Sequence, residues 1–85
     1  DIYSLGVIMY ELLTGSPPYT RGDQMSVMYQ HVQGKAPPPN EANKDVSQEL
    51  SDCVTTCMAV DKNKRYVSMN AVREAFTPHL PTDTL

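Results

Sequence analysis

Apolar residues along the first fourteen positions do not keep to one side. The order is Asp-Ile-Tyr-Ser-Leu-Gly-Val-Ile-Met-Tyr-Glu-Leu-Leu-Thr. On a helix, Ile2, Leu5, Val7, Ile8, Met9, Leu12 and Leu13 are spread around the whole circumference. Such a helix, here 2–14, is expected to be buried on every side. It is too short and too interrupted to cross a bilayer, which takes roughly 20 apolar residues. Asp1 suits the N-cap, because its carboxylate can accept free N–H groups of the first turn. Gly15 suits a left-handed C-cap, and Pro17-Pro18 cannot continue the helix. Tyr10 and Glu11 lie inside the apolar run and need hydrogen-bond partners if buried.

Beyond Gly15 the pattern becomes one-sided. Residues 16–22 read as a loop. Asp23 can cap a second helix, 24–33, on which Met25, Met28, Tyr29 and Val32 form a stripe at i, i+3, i+4 and i+7. Arg21-Gly22-Asp23 spells an adhesion tripeptide, but a turn followed by an N-cap uses the same residues. Residues 35–44 hold Pro37-Pro38-Pro39 without apolar periodicity, which predicts an extended spacer between helices. A Pro-rich ligand for an SH3-like domain is the less economical reading. Ser47 caps a third helix, 48–59, with Leu50, Cys53, Val54, Cys57 and Met58 on one face. A polar turn, Asp61 to Arg65, leads to a fourth helix, 69–76, capped by Ser68, with Met69, Val72, Ala75 and Phe76 inward. No stretch alternates as a strand would, and no segment repeats. The fold class is all-α with about four helices: residues 1–76 form one helical unit and 77–85 a flexible tail.

Charge and cysteine content narrow the function. The net charge is −3, and the seven basic residues are scattered except at Lys62, Lys64 and Arg65. No nucleic-acid surface is expected from that distribution. Neither a signal peptide nor a membrane span is evident, so a cytoplasmic setting without membrane contact by this chain is expected, with a membrane anchor further along the parent left open. Two cysteines do not make a disulfide framework. Cys53 and Cys57 share a helix face and, with His31 or His79, could be imagined around zinc. A second closely spaced ligand pair is missing, so buried packing is the better account. The glycines at 6, 15, 22 and 34 form no phosphate-binding loop. No nucleophile and base pair up around His31 or His79, and no carboxylates cluster for magnesium. Catalytic, cofactor-binding and metal residues are therefore expected to be none in this chain. A chain that starts inside an apolar run is expected to be a piece of a larger enzyme.

Two blocks then carry a resemblance. Asp1-Ile2-Tyr3-Ser4-Leu5-Gly6-Val7, followed by Tyr10-Glu11-Leu12-Leu13-Thr14-Gly15 and Pro18-Tyr19, resembles the protein kinase family in the region after its activation segment. Cys57 to Tyr66, with Asp61 and Arg65 four apart, resembles that family's closing Asp-x-x-x-Arg motif. Tyr3, where many eukaryotic members carry Trp, and the Pro-rich linker resemble bacterial-type Ser/Thr kinases. The departure is Lys62, which stands where the family usually has Pro. The resemblance implies the C-terminal helical part of a kinase C-lobe. It implies that Asp1 accepts backbone N–H groups of the catalytic loop, and that Arg65 pairs with a glutamate at the end of the activation segment. It makes the Met25, Met28, Tyr29 and Val32 helix a candidate docking element for substrates. ATP and magnesium would be bound elsewhere in the parent, whose partners are the rest of the kinase domain and protein substrates. The chain alone is expected to be inactive. Its uncovered first helix is expected to self-associate, and Arg65 to turn to solvent or recruit Asp1, Glu11 or Asp61. The alternative reading is a non-catalytic helical interaction module or a pseudokinase remnant.

Overall fold

A computed structural model describes residues 1–18 and 36–80. Its α-helices, in order, are α1 (Ile2–Thr14), α2 (Pro39–Ala42), α3 (Gln48–Cys57) and α4 (Met69–Phe76). Single 3-10 turns follow at Lys62–Lys64 and Thr77–His79. No strand occurs among the described residues, in keeping with the all-α expectation. The expected helix 24–33 lies outside them.

The caps fall where the sequence puts them. Asp1 accepts from the Ser4 N–H at 2.8 Å. Ser47 accepts from Leu50 and Ser68 from Ala71, each at 3.1 Å. Gly15 closes α1 with φ +87°, a backbone region that a side chain makes costly. Its N–H returns to the Glu11 carbonyl at 2.8 Å.

The core is Tyr10, Cys53, Val54, Cys57, Val72 and Phe76, flanked by half-buried Ile2, Leu5, Met9, Leu13, Leu50, Met58, Tyr66 and Ala75. The central helix is thus α3, with α1 on one side and α4 on another. Full burial of such side chains stabilises by roughly 1.5–3 kcal/mol each. Gly6 sets the closest approach of α1 to α3. A Cβ there would stand 2.8 Å from both the Cys57 Cβ and the Met58 Cγ.

Four expectations need correction. First, α1 is not buried all round: only Gly6 and Tyr10 are buried, and Ile8 and Leu12 are 55% and 78% exposed. Second, residues 35–44 are not all extended. Pro39 opens α2, because proline's fixed φ suits a first helical turn that needs no N–H there. Third, α3 ends at Cys57, two residues early, because Met58 leaves the helical path and caps it. Fourth, Met69 is 55% exposed although it shares the stripe of Val72 and Phe76, because it opens α4 at the edge of the core. The first residues of the expected tail, Thr77–His79, form a 3-10 turn.

The Pro-rich segment is fastened to both neighbours. The Tyr10 hydroxyl donates to the Pro37 carbonyl at 2.7 Å, giving this buried phenol a partner. The Asn43 amide donates to the Leu13 carbonyl at 2.8 Å, near the end of α1. Ser51, fully buried, donates to the Asn40 side chain and accepts from its N–H. No buried side-chain nitrogen or oxygen among the described residues lacks a partner.

Candidate functional site

The two sequence blocks meet at one end of the molecule. Asp1 and Ile2 from the start of α1 share a cavity of about 460 Å³ with Lys62, Arg65, Tyr66, Ser68 and Met69. Asp1 arrives there as the cap of α1. Arg65 arrives through the turn after α3, which Asp61 organises by accepting from the Asn63 N–H at 2.9 Å. The Asp61 and Lys64 backbones close that turn at 2.9 Å. Proline is therefore not required at position 62 for the turn to form.

Arg65 is neither loose in solvent nor paired as expected with Asp1, Glu11 or Asp61. It is half-buried. Its Nε donates to the Ala59 carbonyl at 2.7 Å and its Nη2 to the Val60 carbonyl at 3.3 Å. Its guanidinium carbon lies 4.8 Å from the centre of the Tyr3 ring. Backbone carbonyls and an aromatic face thus hold the cation. Sequence reasoning missed this role of Tyr3. The only signal was an aromatic residue two positions after the helix cap.

Asp1 is exposed, and one of its carboxylate oxygens serves the helix cap. A carboxylate has about four acceptor sites, so the cap leaves capacity for donors from outside α1. The stripe Met25, Met28, Tyr29 and Val32 lies outside the described residues, as does His31.

Cys53 and Cys57 are free, buried thiols. Burial, then the neighbouring Cys53, pushes the Cys57 thiol up to about 11. Burial, with a hydrogen bond to Cys53, pushes the Tyr66 phenol up to about 12. Both groups hold their protons at neutral pH, and the Cys53 thiol donates to the Ala75 carbonyl at 3.5 Å. The pair behaves as packing, Cys53 against α4 and Cys57 against Gly6 of α1. Among the described residues, no group of three His, Cys, Asp or Glu could hold a metal ion. No described helix is long and apolar enough to cross a membrane.

Comparison with known proteins bears on the whole of this arrangement. The family model for the protein kinase domain matches residues 1–77. The chain is 38% identical over 72 residues to a probable serine/threonine-protein kinase of Clostridium acetobutylicum. That match covers 85% of this chain and 11% of the relative. It is 38% identical over 73 residues to the serine/threonine-protein kinase PknB of Mycolicibacterium smegmatis, covering 86% of this chain and 12% of that protein. PknB of Mycobacterium tuberculosis gives the same identity and coverage. The chain therefore spans about an eighth or less of the curated relatives it matches.

Proposed function

The chain belongs to the protein kinase family, and from that premise we propose that it forms the C-terminal helical part of the C-lobe in a Ser/Thr protein kinase. In the longer protein, the γ-phosphoryl of ATP passes to Ser or Thr hydroxyls of protein substrates, with magnesium on the nucleotide. The residues described here supply support for that reaction rather than its chemistry.

One observation carries the reading: Asp1 and Arg65, far apart in the chain, line a single cavity. On this reading Asp1 accepts backbone N–H groups of the catalytic loop while capping α1. Arg65 pairs with a carboxylate at the end of the activation segment. The open side of α1, with Ile8 and Leu12, receives those same elements. Each covered Leu or Ile there adds roughly 1.5–3 kcal/mol. The stripe Met25, Met28, Tyr29 and Val32 would dock substrate. Replacing Met25 and Met28 by Lys should then raise KM for a protein substrate and leave KM for ATP unchanged.

The test compares phosphoryl transfer by this chain with that by the longer protein containing it. Turnover is expected only from the longer protein, and Arg65→Ala there should lower kcat at least tenfold. Turnover by the 85-residue chain alone would place the catalytic groups inside it and sink the assignment. A longer protein that binds partners but transfers no phosphoryl would instead support the non-catalytic module.

A further inference from the structure

The 3-10 turn after α3 places two cations in a row. Lys62 opens it and Arg65 closes it, with the Arg65 N–H on the Lys62 carbonyl at 3.2 Å. In a 3-10 turn, residues three apart lie over one another, about 6 Å apart along the axis. Both cations line the cavity that Asp1 and Ile2 enter from α1. We propose that Lys62 is a second docking cation of this cavity, and that the segment of the longer protein which fills it presents two acidic side chains, one to Arg65 and one to Lys62; this rests on the kinase-lobe reading above.

The backbone does not explain a lysine at position 62. The first position of a helical turn has no N–H bond to give up and suits proline. Asp61 organises the turn, through the Asn63 N–H on its carboxylate and the Lys64 N–H on its carbonyl. The Lys62 side chain is exposed and makes no hydrogen bond or ion pair with any described residue. What lysine adds here is a charge.

One incoming carboxylate does not balance the charges of the cavity. Of five guanidinium N–H groups, the Ala59 and Val60 carbonyls take two. Three remain, enough for paired bonds to a single carboxylate. That carboxylate satisfies Arg65 and leaves Lys62 without a counterion. Asp1 is the one carboxylate among the described lining residues. One of its oxygens caps α1, and it forms no ion pair with Lys62 or Arg65. A second acid in the incoming segment supplies the missing charge. The step of about 6 Å between the cations suits acids two apart on a strand or four apart on a helix. The flexible stem of lysine tolerates either spacing.

The experiment has two arms. The first titrates the 85-residue chain with capped peptides carrying two glutamates, two or four apart, and with their one-glutamate counterparts. The Arg65 side-chain N–H signals are the NMR readout. At one spacing or both, the two-acid peptide should bind roughly threefold tighter than its counterpart. Lys62→Gln should remove that advantage and Lys62→Arg should keep it. Salt at about 1 M, where the screening length is about 3 Å, should erase it. No advantage at either spacing, or one that survives Lys62→Gln, would overturn the proposal whatever the chain does in a kinase.

The second arm uses the longer protein and measures kcat for phosphoryl transfer. Lys62→Gln and Lys62→Pro should each lower kcat roughly threefold, while Lys62→Arg holds the original rate. An equal loss in Lys62→Arg would show that packing rather than charge is at work and overturn the proposal. So would a loss in Arg65→Ala with none in Lys62→Gln, because the segment would then dock by Arg65 alone. If neither variant changes kcat while the peptides discriminate as expected, the kinase-lobe reading fails and the two-cation receptor stands.

Discussion

The two sides of α1 are built from similar residues and meet different surroundings. On the inner side, Gly6 and Tyr10 are buried, with Ile2, Leu5, Met9 and Leu13 against the core. On the outer side, Ile8 and Leu12 are largely exposed. Hydrophobicity does not separate the two sets, since leucine and isoleucine occur in both. What separates them is shape. Gly6 removes a side chain where the Cys57 Cβ and Met58 Cγ must come close, and that notch decides which side of the helix α3 occupies. Apolar content thus states how much surface a helix is able to bury, and the small residue states where.

Filling the notch should produce the largest effect. Gly6→Leu forces α1 away from α3 and should destabilise by roughly 3 kcal/mol, read as a lower urea midpoint. Little change would mean that the inner contact is soft and the two sides are alike.

Alkaline pH tests the inner side without mutation. Cys57, under the notch, has its proton affinity raised by burial, from an ordinary value of 9.0 to about 11. A raised native value means that the folded form holds the proton while the unfolded form sheds it. Its contribution is complete below about pH 9 and is lost as pH rises through about 11. The slope between them should approach about 1.4 kcal/mol per pH unit. Tyr66 is shifted in the same direction, so a Cys57→Ala variant should flatten the profile only in part. Equilibrium unfolding at several pH values measures both.

A smaller loss is expected from Tyr10→Phe. Removing the hydroxyl deprives the Pro37 carbonyl of its donor and should cost about 1 kcal/mol. Proteolysis near the Pro-rich segment should quicken.

The smallest effect belongs to the outer side. Ile8→Gln or Leu12→Gln should change the stability of the 85-residue chain by no more than about 0.5 kcal/mol, while reducing self-association on size exclusion. A loss as large as that of Gly6→Leu would show the outer side to be covered in solution, erasing the contrast.

Much of this was legible in the sequence because it is local. Caps at Asp1, Ser47 and Ser68, the left-handed Gly15, and the stripe Cys53, Val54 and Cys57 each depend on neighbours within a turn or two. The cavity that Asp1 shares with Arg65 was not legible, since nothing in either block states its distance from the other. An open side to α1 was expected only through the resemblance, while the apolar pattern alone pointed to burial all round, because periodicity carries no information on what lies opposite. Arg65 was misread because backbone carbonyls leave no mark in a sequence: any residue at 59 or 60 offers one. The helix at Pro39 was hidden because three prolines in a row suggest an extended chain, while the third also suits a helix start.

The span of each contact sets an order of assembly. The Nε bond of Arg65 closes a loop of 6 residues, and the Ser68 cap closes one of 3. The bond from Tyr10 to Pro37 spans 27, and the Gly6 notch must find Cys57 across most of the chain. Short closures form first, because the entropy of closing a loop grows with its length. The turn that holds Arg65 is therefore in place before α1 docks. A ribosome delivering this chain releases α1 long before α3, and the inner side of α1 waits bare until the Cys57 face arrives.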